Sequence, residues 1–143
     1  MPVERVGQPP PIVQSMILAD HVHQDLMTGK KYILGTHNGF ISNKFPAKHA
    51  FYVYMAITGG HGQTMVRVRI VDVDDVIGAI HESVTPFDMP DPNRVYEITF
   101  NTAAVFPEPG DYRIQLFTGN DFLRELRLHV ALRQANPLPP EGT

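Results

Sequence analysis

The sequence predicts an all-β domain, built as an antiparallel two-sheet β-sandwich of the immunoglobulin-like or Greek-key type with seven to eight strands. Apolar residues alternate with polar residues along several short segments, which is the pattern of strands that bury one face. Turns rich in glycine, asparagine and proline separate these segments at the spacing typical of sandwiches. No helical pattern extends beyond about two turns.

The clearest hairpin lies between Phe106 and Arg133. Apolar and polar residues alternate from Tyr112 to Leu116, the Gly119-Asn120 pair predicts a tight turn, and alternation resumes from Leu126 to Leu132. A hairpin alone cannot cover its own apolar face, because at least one further layer is needed for that. The rest of the chain must therefore supply the other strands.

The other predicted strands differ in clarity. Residues 51–58 and 64–72 form a second clear hairpin around a glycine-rich turn, and residues 95–100 also alternate cleanly. A short helix over 13–19 is the alternative for the first of the weaker strands, because short apolar runs are poorly discriminated. A proline-rich loop is predicted over 85–93, and the weaker patterns predict strands at 12–25, 31–36, 40–43 and 76–84.

The start of the strand at Tyr112 carries a structural prediction. Gly110 and Tyr112 stand in the sequence Pro-Gly-Asp-Tyr, just before a late strand. In Greek-key sandwiches a tyrosine at this place often bonds backbone a few residues upstream and pins the crossover between sheets. The alternative is an ordinary core tyrosine without such a bond.

Length and composition indicate a single domain. The chain has 143 residues and no cysteine, which is enough for a hydrophobic core and leaves no disulfide, thiolate zinc site or cysteine nucleophile. We expect a β-sandwich domain over residues 11–134. Residues 1–10 are expected to be a disordered or extended tail, and residues 135–143 a proline-rich tail.

Charge and hydropathy restrict the classes of partner. The net charge is −3, and the lysines and arginines are spread along the chain, so nucleic acid is not an expected partner. No apolar run approaches the roughly 20 residues that span a bilayer, and the N-terminus lacks the apolar segment of a secretory signal. We therefore expect no membrane insertion and a cytoplasmic location.

Several segments resemble a family of small bacterial proteins that is known only as a domain of unknown function and is built as a β-sandwich. The resemblance implies this fold and carries over no catalytic residue. Several members have a cysteine where this chain has Ala19, which argues against a thiol-dependent function here. The matching segments are the Asp20 region, Thr28-Gly29-Lys30, Ile33-Leu34-Gly35, Phe45-Pro46, Gly62 with residues 66–72, and residues 106–112.

Two groups of residues are weak candidates for metal binding. His21 and His23 project from one face of a strand and could share a transition metal, although an exposed edge strand explains the pair equally well. Three aspartates in a loop have the oxygen ligands that Ca²⁺ prefers, although aspartate is also an ordinary turn residue. These aspartates are Asp72, Asp74 and Asp75.

No catalytic constellation can be assembled from the sequence, and no cofactor is expected. The serines lack a nucleophile-elbow context, and the glycine cluster at 59–62 is not followed by a helix.

An excess of aromatic residues is the more informative feature, because Tyr52, Tyr54 and Phe117 lie opposite the predicted core faces. They are candidates for an interface, and the alternative is that loops 37–50 and 85–93 cover them.

These observations favour a non-catalytic interaction module that binds a protein partner or associates with itself. The alternative is a module whose loops bind a ligand or a metal, either Ca²⁺ or a transition metal. The two hypotheses differ in a simple respect, because only the second predicts that metal stabilises the folded chain.

Overall fold

The computed structural model describes residues 9–74 and 78–134, and every regular element within these ranges is a β-strand. The described ranges contain no helix that could cross a membrane. Except for Pro9 and Pro10, the predicted tails lie outside the described residues. The strands are β1 (Ile12–Gln24), β2 (Lys31–Thr36), β3 (Gly39–Ser42), β4 (Ala47–Thr58), β5 (Gly62–Asp72), β6 (Ala79–Met89), β7 (Tyr96–Phe106), β8 (Gly110–Thr118) and β9 (Asp121–Leu132).

The all-β prediction is confirmed, but the predicted number of strands is wrong. The described residues form nine strands rather than seven to eight, because even the segments with weak patterns pair with a neighbour. The alternative helix over 13–19 does not form, since this segment pairs with β4. Strand β6 also continues through Pro86 to Met89, where a loop was predicted. An edge strand tolerates a proline, because one of its edges needs no hydrogen-bond donor.

The strands form two sheets, with the orders β2-β1-β4-β7 and β3-β9-β8-β5-β6. The predicted hairpin of residues 51–58 with 64–72 is wrong, because the turn between them carries the chain from the first sheet, where β4 pairs with β7, to the second, where β5 pairs with β6 and β8. Most neighbours are antiparallel, but β3 runs parallel to β9, so the prediction of a wholly antiparallel arrangement is wrong. The reason lies at His37 and Asn38, where the chain leaves the first sheet after β2 and enters the second. A crossover of this kind removes the hairpin constraint that makes neighbouring strands antiparallel.

Both sheets contribute buried side chains to one hydrophobic cluster. The middle strands of the two sheets supply most of it, and their inward residues alternate with outward polar ones as the sequence predicted. The largest fully buried side chains are Tyr112, Phe51, Phe106, Met55, Ile57, Ile70, Met89, Ile114, Leu116 and Leu128.

The entry to β8 is fixed by a tyrosine. The Tyr112 hydroxyl donates a 2.6 Å hydrogen bond to the backbone oxygen of Glu108, and its ring meets the edge of Phe106 at a centroid distance of 4.9 Å. Gly110 has a φ of 152°, a conformation that side chains disfavour. The glycine and the tyrosine together fix how the chain enters β8.

Candidate functional site

One half of the outer surface of the first sheet is rich in histidine and tyrosine. In the register of β1 with β2, His21 lies opposite Leu34 and His23 opposite Tyr32. The His21 ring meets the edge of Tyr52 at a centroid distance of 5.0 Å, and His23 lies 6.4 Å from Tyr32. We call these five residues, His21, His23, Tyr32, Leu34 and Tyr52, the histidine–tyrosine face.

The histidine–tyrosine face is open to solvent at the edge of its sheet. Tyr32 is 49% exposed and Leu34 52% exposed, and β2 is an edge strand. His21 and His23 are also exposed, whereas Tyr52 is half-buried. Rings with an apolar body and a polar rim are enriched where proteins meet partners. This face therefore offers apolar contact and hydrogen-bonding groups together.

The hairpin tip beside this face is held by Asp25. Its carboxylate accepts bonds from the Met27 backbone N–H at 3.1 Å and from the Thr28 hydroxyl at 2.8 Å. The Met27 bond, followed by the Thr28 bond, lowers the pKa of Asp25. Leu26 and Met27 are 98% and 94% exposed at this tip. The turn thus holds two apolar side chains in solvent next to β2.

The structure does not bring the three predicted interface aromatics together. Tyr52 and Tyr54 lie in the first sheet, whereas Phe117 lies in the second. Tyr54 is only 8% exposed and its hydroxyl bonds the Glu97 carboxylate. Burial, and then Glu97, raises the pKa of Tyr54 to about 12. Tyr54 therefore presents little apolar surface.

Phe117 is half-buried beneath a cation. The Arg67 guanidinium lies 4.4 Å from the centre of its ring, and Phe122 lies edge-on at 5.5 Å. Arg67 is itself bonded to Glu82 at 3.2 Å. A charged layer thus covers one side of the ring, and Phe117 is better placed for cation–π packing than for an apolar contact.

The predicted metal ligands do not converge. His21 and His23 have no third ligand, because the described part of the chain contains no group of three or more His, Cys, Asp or Glu side chains that could hold a metal. Asp72 lies at the end of β5 and Asp74 is exposed in the turn beyond it. Asp75 lies outside the described residues. The geometry therefore gives the loop aspartates no calcium site within the described ranges.

A second histidine pair was missed by the sequence analysis. The Nε2 atoms of His37 and His49 lie 3.3 Å apart, and His37 Nδ1 lies 3.4 Å from an Asp20 carboxylate oxygen. Because His37 Nδ1 faces two acceptors, Asp20 and the Gly35 oxygen, it carries the proton. His49 Nε2 then donates to His37 Nε2. No sequence pattern links these residues, since the crossover and β4 meet only in the folded chain.

His49 is enclosed by aromatic rings. Phe40 stacks on it at a centroid distance of 4.1 Å, and Phe51 lies on its other side at 5.4 Å. Burial, followed by the charge of His37, lowers the pKa of His49, and Asp20 opposes the shift. The hydrogen bond between the two rings therefore ties the crossover between the sheets to β4.

A groove of about 540 Å³ lies beside the same crossover. Its apolar wall consists of Met16 and Leu18 from β1 and Leu126 from β9, and its rim includes His37 and Arg127. The volume falls in the range of ligand-binding pockets. The groove was not predictable from the sequence, because the two strands that border it lie at opposite ends of the chain.

Comparison with known proteins identifies a family but no activity. A model described as a family of unknown function (DUF6941) matches residues 14–131. No curated protein is similar enough to count as a relative. Among solved structures, the CARDB domain of the PF1109 protein from Pyrococcus furiosus, in complex with di-metal ions, is similar at 17% identity and a TM-score of 0.41. That likeness covers 83% of this chain and 94% of that domain.

Proposed function

We propose that this chain, which belongs to the family of unknown function DUF6941, is a non-catalytic interaction module that binds a protein partner through the histidine–tyrosine face. The observation that carries the proposal is the exposure of Tyr32 and Leu34 on an edge strand, beside two exposed histidines. Large apolar side chains exposed together with polar rings are typical of protein interfaces. The cytoplasmic location and the absence of nucleic-acid binding stay predictions.

An immunoglobulin-like sandwich is the proposed arrangement of the two sheets. The order β1-β4-β7 corresponds to strands A, B and E of that fold, and β9-β8-β5-β6 corresponds to G, F, C and C′. The bond from Tyr112 to Glu108 at the start of the F-like strand supports the same assignment. In such a sandwich the outer surface of the first sheet is free for a partner.

Self-association would use the same face, and the experiment must separate it from binding to another protein. Light scattering after size exclusion measures the oligomeric state of the pure chain, and affinity capture from the native host measures retained partners. Leu34→Asp introduces a charge on the face, and Val84→Asp is the matched control because Val84 is 49% exposed on another edge strand, β6.

We expect one defined partner, or a dimer, that is retained by the wild type and by Val84→Asp and is lost with Leu34→Asp. Equal retention by both variants would contradict the proposed face. A strict monomer that retains no partner would contradict the interaction function itself.

Binding of a transition metal is the second candidate function, and the pair of His37 and His49 is what favours it. Imidazole nitrogens about 2.0–2.1 Å from a tetrahedral Zn²⁺ lie roughly 3.3 Å from each other, and the Nε2 atoms of this pair are 3.3 Å apart. Asp20 behind His37 orients the ring as a carboxylate partner of a metal-bound histidine does. Two ligands leave the remaining positions to water.

Thermal unfolding with Zn²⁺ and with EDTA tests this second candidate, because a metal that binds only the folded chain raises its melting temperature. The substitution His49→Gln should abolish any rise in melting temperature that Zn²⁺ causes. His21→Gln/His23→Gln is the control, since that pair is the one predicted from the sequence. The absence of any shift at millimolar Zn²⁺ would exclude metal binding, and loss of the shift only in the control variant would assign it to His21 and His23.

A further inference from the structure

Two strand edges beside the groove have no partner among the described residues. Strand β2 pairs with β1 only from Ala19 to Gln24, and His37 bonds Leu18, which leaves residues 12–17 of β1 without a neighbour on that side. Strand β3 pairs with β9 only from His129 to Leu132, which leaves residues 121–128 of β9 open. The crossover at 37–38 closes one end, because its backbone bonds Leu18 and His129.

The backbone of β9 directs hydrogen-bonding groups at this opening. The N–H groups of His129 and Arg133 donate to Asn38 and Ser42, on the β3 side. Because the N–H and C=O groups of successive residues point to alternate edges of a strand, those of Glu125 and Arg127 face the same side. An added strand would satisfy them.

The side chains beside this edge are apolar where they face the core and cationic where the groove opens to solvent. Leu126 packs against the core cluster, together with Met16 and Leu18 in the wall of the groove. Arg124 lies opposite buried Leu116 of β8, so it projects on the same side as Leu126, about 7 Å along the strand. Arg127 lies on the rim.

The free charges next to the open amides of Glu125 and Arg127 are positive, whereas the exposed carboxylate of Asp121 lies at the beginning of β9. Arg124 and Arg127 are exposed and have no ion-pair partner among the described residues. Glu125 is already engaged, since its carboxylate lies 3.9 Å from Arg113 and 3.4 Å from the Gln115 amide. An inward charge such as that of Arg124 disfavours indiscriminate pairing of an edge strand with other strands. The charge of Arg127 on the outward face favours an occupant with carboxylates.

We propose that the open edge of β9 binds an extended acidic peptide, which adds to the second sheet as a further strand and places apolar side chains in the groove. Its backbone pairs with Glu125 and Arg127. Because alternate side chains of a strand point to opposite faces, its apolar side chains lie on the face of Leu126 and its carboxylates lie on the opposite face, beside Arg127. This site lies apart from the histidine–tyrosine face, so it goes beyond the function proposed above and stands or falls separately.

The test uses three fluorescein-labelled peptides of about ten residues, a length that covers the open part of β9. The first alternates valine and glutamate, the second alternates valine and lysine, and the third has the composition of the first with the valines and glutamates in separate blocks. Fluorescence anisotropy gives the affinity of the full-length chain for each, and amide hydrogen exchange locates the bound strand.

We expect saturable binding of the alternating glutamate peptide, at least about tenfold tighter than that of the other two. Binding should slow exchange at the amides of Glu125 and Arg127. Arg127→Pro removes the edge N–H and should weaken binding at least about tenfold relative to Arg127→Ala, which removes only the charge. Arg127→Glu should reverse the preference to the lysine peptide, and Leu34→Asp should leave binding unchanged.

Four results would overturn the proposal. They are equal or absent binding of the glutamate and lysine peptides, equal binding by Arg127→Pro and Arg127→Ala, protection confined to a different strand edge, and slow exchange at both amides in the free chain. The last would mean that another segment of the chain, or a second copy, already occupies the edge. None of these results bears on Leu34, so failure here and failure of the proposed function are distinguishable.

Discussion

Two regions of the molecule hold their residues in place by different contacts. One is the centre of the second sheet, and the other is the β2–β3 side, which comprises residues 31–42. In β5 and β8 the inward side chains are almost fully buried, among them Val68, Ile70 and Leu116 at 0% exposure. In β2 and β3 no residue is fully buried. Phe40 of β3 packs at the margin of the core and stacks on His49, which is hydrogen-bonded to His37 of the crossover.

This difference separates the most stable part of the molecule from the part that we propose for recognition. Apolar burial contributes stability in proportion to area and does not depend on pH, whereas a histidine network depends on protonation. The β2–β3 side therefore combines modest stability with exposed rings, open strand edges and titratable groups. These are the properties of a region that contacts other molecules.

The largest expected effect contrasts one leucine from each region. Leu116→Ala removes a fully buried side chain and should lower the free energy of unfolding by about 2–5 kcal/mol. Leu34→Ala, at a site that is 52% exposed, should change it by less than about 0.5 kcal/mol. Urea unfolding followed by circular dichroism measures both. Similar losses would show that β2 is as important to stability as β8.

The bond made by Tyr112 gives a second, smaller contrast. Tyr112→Phe leaves the Glu108 carbonyl without its 2.6 Å partner and should cost about 1–3 kcal/mol. Tyr32→Phe is the control, because this tyrosine is 49% exposed and its hydroxyl has no partner among the described residues. Unfolding in urea again provides the measurement. A loss as small as that of the control would mean that the ring of Tyr112, not its hydroxyl, holds the corner.

The His37–His49 pair should make the β2–β3 side sensitive to acid. The pKa of His49 is lowered in the folded chain from its ordinary value of 6.5, so the folded state favours the neutral ring. Its contribution to stability is complete above that value and is lost as the pH falls through the folded pKa. Melting temperatures between pH 7.5 and 5.5 should fall more for the wild type than for His49→Gln.

A matched control separates this effect from general acid destabilisation. His21→Gln alters an exposed histidine outside the pair and should leave the pH dependence of the melting temperature as in the wild type. If His49→Gln and the wild type lose stability in parallel, the pair does not connect the crossover to β4 through a neutral hydrogen bond.

The smallest effect is expected at the surface ion pair of the second sheet. Arg67 and Glu82 lie 3.2 Å apart with partly exposed side chains, and exposed pairs contribute roughly 0.2–1 kcal/mol. Glu82→Gln should therefore lower stability within that range at low salt and have almost no effect at about 1 M salt. A larger loss that persists in salt would show that Glu82 holds Arg67 over Phe117 as part of the packing.

The sequence was sufficient for elements whose evidence is local. Alternation predicted the strands β4 and β5 and the hairpin of β8 with β9, and Pro-Gly-Asp-Tyr identified the residues at the start of β8. The predicted pairing of β4 with β5 was wrong, because alternation does not show which sheet a strand joins. Pro86 concealed the second half of β6, because proline normally ends a strand and only the edge position permits it here. The parallel pairing of β3 with β9 was not predictable, since no short-range signal links strands so far apart in the chain.

The candidate sites were harder to predict for the same reason, because they form from parts of the chain that meet only in the folded structure. His21, His23 and Tyr52 were recognised as unusual, but Tyr32 and Leu34 became part of their surface only through the register of β1 with β2. The pair of His37 and His49 depends on a crossover between sheets. The groove depends on where β2 and β3 stop pairing, which sequence alternation does not specify.

Native-state amide exchange of the free chain tests most directly whether stability and recognition reside in different regions. We predict the slowest exchange in residues 66–70 and 112–116, and markedly faster exchange in residues 31–42 and at the amides of Glu125 and Arg127. Equal protection of both regions would contradict the account, because the β2–β3 side would then be as firmly folded as the core and its edges already occupied.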